Sequence, residues 1–231
     1  MDDVLPERPA LDALGGPLAG FGRSKGRAAV FDADVTPFAG VGADPGATDW
    51  ADLAALLGPG GTAVLTGPRE QLPDGWEAII PLDGVQMDGG ALETRPDPGA
   101  VVLGGTDREA MADLVTRTRP GPWKLRTGEL GLYLGIRDGD ELVSMAGERM
   151  RGPGWTEISA VCTDEAYRGR GYAERLVRAV AHHVVERGDR PMLHASAANE
   201  HALRQYRRWG FVFSRPMCFD LVRAPDRSDR S

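Results

Sequence analysis

The residues best suited to chemistry lie in one run, Glu157-Ile158-Ser159-Ala160-Val161-Cys162-Thr163-Asp164-Glu165-Ala166-Tyr167-Arg168-Gly169-Arg170-Gly171-Tyr172-Ala173. A strand pattern ends near Val161, a loop follows, and a helix pattern begins near Gly171. Gly169 and Gly171 let the backbone approach a bulky anion closely. The first-turn N–H groups of a helix have no partner inside it and can bind phosphate oxygens. Arg168 and Arg170 add positive charge where Tyr172 and Ala173 enter the helix, so the loop reads as a pyrophosphate cradle. No Gly-Lys-Ser/Thr follows, and the third spaced glycine and the acid of a dinucleotide fingerprint are missing. An enzyme of nucleoside triphosphates or dinucleotides is therefore disfavoured. By itself Arg-x-x-Gly-x-Ala also fits a surface turn with helix-capping glycines.

A strand and a helix must hold that loop, and the rest of the chain shows where they come from. The chain has 231 residues, with 42% hydrophobic and 26% charged, the balance of a globular protein. Such a length buries a core without staples. Two cysteines, Cys162 and Cys218, exclude a disulfide scaffold and a four-thiolate zinc site. His182 and His183 are adjacent and face different ways on a helix, so no metal is expected. The acidic start Met1-Asp2-Asp3 lacks a signal-peptide pattern, and no apolar run reaches the roughly 20 residues of a membrane span. The expectation is a soluble, cytoplasmic protein with no membrane partner. Abundant Arg, Gly and Ala suggest a GC-rich, bacterial genome.

The net charge of −7 is uneven, because residues 1–98 carry 16 acids and 6 bases while residues 99–231 carry 18 acids and 21 bases. An anionic ligand would prefer the second half. No basic run marks a nucleic-acid surface.

The turn-rich Arg95-Pro96-Asp97-Pro98-Gly99 sets an expected domain boundary, with residues 1–98 before it and 99–231 after. The first part is rich in Gly and Pro. It shows a helix over 49–57 with Asp49 as N-cap, strands over 62–66 and 76–81, and no catalytic constellation. The second part is clearer. Strands are expected over 101–103, 132–136, 141–150, 155–162 and 191–196, with two more inside 211–222 near Pro216. Helices are expected over 107–118, 171–187 and 199–209, the second with Leu176, Val177, Val180 and Val184 on one face. The order is that of a mixed α/β layer rather than a doubly wound sheet.

A second segment, Asn199-Glu200-His201-Ala202-Leu203-Arg204-Gln205-Tyr206-Arg207-Arg208-Trp209-Gly210-Phe211, follows the loop at a distance of one helix and one strand. Together the two segments resemble the GNAT superfamily of acetyl-CoA-dependent N-acyltransferases. Arg168-x-x-Gly171-x-Ala173 resembles its pyrophosphate loop, and Asn199 to Phe211 resembles its N-x-x-A-x-x-x-Y-x-x-x-G-F hallmark. The resemblance covers residues from about 99 to 231. Residues 1–98 lie outside it, as a smaller α/β domain for which a degenerate copy of the same fold is one reading.

The resemblance implies a GNAT-like fold with a central splayed mixed β-sheet, in which strands 155–162 and 191–196 part and the acyl-pantetheine inserts between them. The backbone of Val161, Cys162 and Thr163 would bind the pantetheine, and an N–H there would steady the oxyanion. Arg168, Gly169, Arg170, Gly171, Tyr172 and Ala173 would hold the pyrophosphate. Asn199 and Tyr206, seven residues apart, share a helix face. Asn199 would touch the cofactor, and Tyr206 would protonate the leaving thiolate, with core packing as its alternative. Glu157 is the expected general base, with an exposed strand glutamate as the other reading. Ser159, Glu148 and His194 are further candidates. Alternation places Glu157, Ser159 and Val161 on one face. Cys162 is not expected to act as a nucleophile.

The function so implied is transfer of an acetyl group from acetyl-CoA, a co-substrate, to a primary amine of a small molecule or a protein, by direct attack in a ternary complex. A non-catalytic acyl-CoA-binding or sensing module is the alternative. A homodimer is the default oligomer.

Overall fold

A computed structural model describes residues 5–226; Met1-Asp2-Asp3 lie outside the described residues. In chain order the elements are α1 (Pro9–Leu14), β1 (Gly22–Lys25), β2 (Ala28–Phe31), β3 (Phe38–Val41), α2 (Ala47–Leu57), β4 (Thr62–Gly67), β5 (Glu77–Ile80) and β6 (Asp83–Asp88). They continue with β7 (Val101–Leu103), α3 (Arg108–Thr118), β8 (Tyr133–Asp138), β9 (Glu141–Gly152), β10 (Trp155–Thr163), α4 (Tyr172–Glu186), β11 (Arg190–Ser196), α5 (Glu200–Trp209) and β12 (Val212–Arg223).

The second half follows its sequence pattern closely, because its hydrophobic periodicity is strong. Leu176, Val177, Val180 and Val184 are all buried on α4. They pack on Leu134, Val143, Ala146, Ile158 and Leu193 of the sheet. Met111, Leu114 and Val115 of α3 cover Tyr133, Met145 and Cys162 on the opposite face. Two details differ. Residues 212–223 form one strand, not two, with a register shift between Phe213 and Arg215 that absorbs the expected break. Asp49 is not the N-cap of α2; it sits three residues in, and its carboxylate accepts the Gly46 N–H at 2.8 Å. The first half also holds α1, β1, β2, β3 and β6, which its pattern does not announce. Strands β2 and β3 are buried throughout and so lack alternation.

All the strands join one 12-stranded sheet in the order β1-β2-β3-β4-β12-β6-β11-β10-β9-β8-β7, with β5 added beside β12. The expected boundary at residue 98 does not divide this sheet. Strand β6, from the first half, pairs with β11 on one side and β12 on the other. Strand β12, from the second half, pairs in turn with β4.

The element order α-β-β-β-α-β occurs twice, as α1-β1-β2-β3-α2-β4 and as α3-β8-β9-β10-α4-β11. In each run two antiparallel steps precede one parallel step across the helix. Each half then lends its closing strand to the other, and β6 and β12 meet antiparallel in the middle.

A chain beginning at Gly99 would leave one edge of β11 and both edges of β12 without partners, and unpaired edges aggregate. Such a truncation is expected to lose solubility, as checked by the soluble fraction on expression and by sedimentation. A folded, soluble fragment would show that the halves are separable.

Candidate active site

Strands β10 and β11 run parallel and pair only at Trp155–Arg190, Thr156–Pro191 and Glu157–Met192. Beyond Glu157 they part. The cause is local: β10 shifts register against β9 between Ser159 and Cys162, and Ala160 has φ of 53°, a conformation costly for a residue with a side chain. The bulge also corrects the expected alternation. Val161 packs with the cluster that holds Ile158, on the α4 face, while Ala160 packs against the α3 cluster.

Past the bulge, the two edges of β10 serve different purposes. Asp164 N–H donates to Val143 O, and the Cys162 carbonyl accepts from Ser144 Oγ at 2.9 Å. Cys162 therefore spends its carbonyl on β9. Strand alternation turns the backbone groups of Val161 and Thr163 toward the gap. The Cys162 thiol is inert: burial pushes it up to about 11, against the opposing hydrogen bonds of Thr118 and Met145.

The loop after β10 forms a short 3₁₀ turn, Glu165–Tyr167, capped by Asp164, and then enters α4. Gly169 and Gly171 have φ of 80° and 76°, and a side chain at either would meet nothing within 4 Å. Gly171 is the N-cap of α4, and no side chain caps that helix. Its first-turn N–H groups therefore face outward beside Arg168 and Arg170, both exposed. Arg170 rests on the Tyr167 ring at 4.7 Å, and Arg168 reaches the Thr163 carbonyl at 3.4 Å. The loop from Arg168 to Ala173 lies on the open surface, outside the lining of the central cavity.

That cavity, of about 520 Å³, occupies the fork. Ile158, Ser159, Ala160 and Val161 line it from β10, and His194, Ala195 and Ser196 from β11. Asn199, Ala202 and Tyr206 line it from the start and one face of α5, so the seven-residue spacing does place Asn199 and Tyr206 together. Asn199 Oδ1 caps α5 by accepting from Ala202 N–H at 3.1 Å. Tyr206 also packs edge-on against Trp209 and Phe211, at 5.4 and 5.9 Å between ring centres. Burial, with a smaller effect of Cys162, pushes its phenol up to about 12. It therefore holds its proton at neutral pH and can serve as a proton donor. The opposite wall was invisible in the sequence: Phe38, Val64, Ile80 and Leu82 come from the first half, Phe219 and Leu221 from β12. Arg119, Pro120, Gly121 and Pro122, after α3, close the rim.

Glu157 does not sit in the cavity. It is 0% exposed and lies behind Arg149 and His194, both of which line the cavity. Arg149 Nη2 and Nε donate to its two oxygens at 2.5 and 3.0 Å, and His194 Nδ1 stands 2.8 Å from Oε1. Burial alone would raise its pKa, but Arg149 and then His194 overcome that and bring it down to about 2. Neither the exposed-glutamate reading nor direct proton abstraction by Glu157 fits this position. Arg149 carries no mark in the sequence beyond being a charge inside a strand. It also rests over the Phe38 ring at 4.7 Å. Glu148, likewise buried, is bound by Arg187 at 2.9 Å and is absent from the cavity wall. Among the described residues no group of three or more His, Cys, Asp and Glu is placed to hold a metal ion. No described helix is long and apolar enough to cross a membrane.

Residues 133–219 match the family model described as FR47-like protein. A solved structure of a putative acetyltransferase of the GNAT family from Novosphingobium aromaticivorans is 38% identical. The match covers 94% of this chain and 96% of that one, with a TM-score of 0.85. A GCN5-related N-acetyltransferase from Kribbella flavida is 17% identical with a TM-score of 0.58, covering 88% of this chain and 89% of that one, a likeness of fold. Among curated proteins, a mycothiol acetyltransferase from Corynebacterium efficiens is 36% identical over 110 residues. That match takes in 47% of this chain but only 34% of the relative, so the chain spans about a third of the length of the curated protein it matches.

The buried Arg149–Glu157 pair predicts a defined acid response. The folded pKa of Glu157, about 2, lies below the ordinary value of 4.5, so the stabilisation is present above about pH 4.5 and is lost as pH falls through 2. Arg149→Met leaves the buried carboxylate with His194 as a hydrogen-bond partner but without the guanidinium, and is expected to cost about 3–5 kcal/mol at neutral pH. Thermal unfolding across pH 2–7 checks both, with the variant's deficit shrinking toward the acid end.

Proposed function

The chain belongs to the GNAT family of acetyltransferases, and on that premise we propose that it moves an acetyl group from acetyl-CoA to a primary amine by direct attack in a ternary complex. The observation that carries this reading is the fork between β10 and β11, which leaves strand backbone unpaired beside a cavity reaching from Tyr206 to Phe38. An extended pantetheine arm suits a gap one strand wide, with the backbone of Val161 and Thr163 facing it. The uncapped start of α4, with Arg168 and Arg170 beside it, suits a pyrophosphate. Acetyl-CoA brings an activated thioester carbonyl to this place.

The chain's own residues supply the rest. Holding both reactants in one cavity lowers the entropic part of the barrier. A bulge N–H near Val161 is aimed at the oxyanion. Tyr206 gives its proton to the departing sulfur. A phenol near 12 is a weak donor for an ordinary thiol of about 8.5. A thiolate forming in the same desolvated corner is also raised, which narrows the difference. The first half of the chain builds the apolar acceptor wall through Phe38, Val64, Ile80 and Leu82, so residues 1–98 shape the acceptor site. The acceptor is an amine of a small molecule or a protein.

Calorimetric titration with acetyl-CoA is expected to show saturable binding that disappears in folded Gly171→Glu, which places a carboxylate against the phosphate site. Thiol release over a panel of amines separates an enzyme from a module that only binds acyl-CoA. With an amine that turns over, Tyr206→Phe is expected to lower kcat by about 100-fold or more while leaving the KM for acetyl-CoA in place. Binding without thiol release from any amine would favour the binding module instead.

A further inference from the structure

A polar row crosses one face of the sheet through five adjacent strands. Ser214 Oγ on β12 donates to Gln86 Oε1 on β6 at 3.2 Å. Gln86 Nε2 donates to the Pro6 carbonyl at 2.7 Å and lies 3.4 Å from His194 Nε2 on β11. His194 Nδ1 meets Glu157 on β10, and Glu157 is held by Arg149 on β9. This row assigns the histidine tautomer. The Pro6 carbonyl can only accept, so the Gln86 amide must point its nitrogen toward His194. The Glu157 carboxylate can only accept, so Nδ1 carries the hydrogen and Nε2 carries the lone pair. The Gln86 amide, 3.4 Å from Nε2, is at the outer limit of a hydrogen bond and holds that lone pair weakly.

The position of His194 gives the lone pair a use. The last β10–β11 pair is Glu157–Met192, so His194 is the second residue beyond the fork on β11. Its side chain shares the face of Met192, which packs with Phe38, Met150 and Trp155. Leu193 points the other way, into the cluster under α4 that also receives Tyr206. Both His194 and Tyr206 line the fork cavity. A carbonyl carbon in the fork would thus have a phenol on one side of the sheet and an imidazole on the other. Other bases fit less well: the His194 side chain is as buried as Glu157, but His194 lines the cavity while Glu157 and Glu148 do not, and a Ser159 hydroxyl is a poor proton acceptor. His182, His183 and His201 lie on α4 and α5 and do not line the cavity.

We propose that His194 is the general base of the transfer and that Glu157 is the positioning residue that holds its ring; this rests on the acetyl-transfer reading above. The amine lone pair forms the new C–N bond, and the C–S bond breaks. The amine proton goes to His194 Nε2, and the Tyr206 proton goes to sulfur. Solvent then returns a proton to Tyr206 and takes one from His194, so the net products are the amide and the free thiol. The groups against His194 are Glu157 from β10, itself held by Arg149 from β9, the neutral Gln86 from β6, and the Phe219 ring at 5.4 Å from β12. The Arg149–Glu157 pair is neutral as a unit, so the imidazolium formed in the reaction gains its partner in Glu157 without a net opposing charge.

The test uses the full chain, acetyl-CoA and an arylamine from the panel whose own pKa lies below about 5, so that the acceptor stays neutral throughout. Wild-type kcat is expected to rise with pH along one acidic limb, as the base loses its proton. His194→Gln, which keeps a polar contact to Glu157 but cannot take the proton, is expected to lose that limb. Its kcat should fall by about 100-fold or more with an unchanged KM for acetyl-CoA. Glu157→Gln should lower kcat by less and retain the limb. A folded His194→Gln whose kcat and limb match the wild type would overturn the proposal and leave the transfer reading standing. If His194→Gln does not fold, the wild-type profile decides, because a flat profile with the neutral arylamine also overturns it. Failure of every amine to release thiol from the wild type would remove both readings together.

Discussion

The interaction on which the rest of the molecule depends is one that stops. Parallel pairing between β10 and β11 ends after Glu157–Met192, and a twelve-stranded sheet opens at its centre. Unpaired strand backbone is costly to bury, so the fork needs a cause and supports. The cause is the bulge at Ala160, which turns Val161 onto the α4 face and commits Cys162 to β9. The supports lie on both faces. The apolar face of α4 clamps Ile158 and Leu193 from one side. On the other, Arg149, Glu157 and His194 lock three strands together at the base of the fork. Replacing that lock with apolar packing would keep the strands together but would not aim an imidazole at the cavity.

The two halves of the chain share a topology and divide the labour. The turn between β3 and α2 occupies the place that the arginine loop takes in the second half. There the helix start is already satisfied: the Asp49 carboxylate accepts the Gly46 N–H, and Arg27 pairs with it at 2.6 Å. A carboxylate stands where an anion would have to bind, so the first half offers no second pyrophosphate cradle. Its contribution is instead a wall. Phe38 and Val64, side by side on β3 and β4, face the cavity and set its apolar character. The exchange of β6 and β12 makes this arrangement obligatory, because each half completes its sheet with the other's last strand.

The parts legible in the sequence were those with local causes. Leu176, Val177, Val180 and Val184 report their helix because the same spacing buries all four. The glycines of the loop report a left-handed backbone, and Asn199 and Tyr206 report a shared face, since both follow from chain geometry within a few residues. The first half was poorly legible because β2 and β3 are buried on both faces and show no period. The boundary at residue 98 was misleading because a turn-rich stretch marks a connection whether or not the sheet continues past it.

By itself, then, the sequence determined the elements of the second half, the glycine-arginine loop at the start of α4 and the phenol on α5, and with them the family resemblance. Tertiary structure alone decided which charges meet. Nothing near Glu157 in the chain shows that Arg149 and His194 converge on it from the two neighbouring strands, with Gln86 beyond His194, turning an expected general base into a buried partner of a histidine. The physical reason is range. Backbone periodicity and helix capping act over a few residues and leave a local trace. Cross-strand pairing joins residues far apart in the chain, 108 positions for Gln86 and His194 and 128 for Ser214 and Gln86, through a register that only the folded sheet defines.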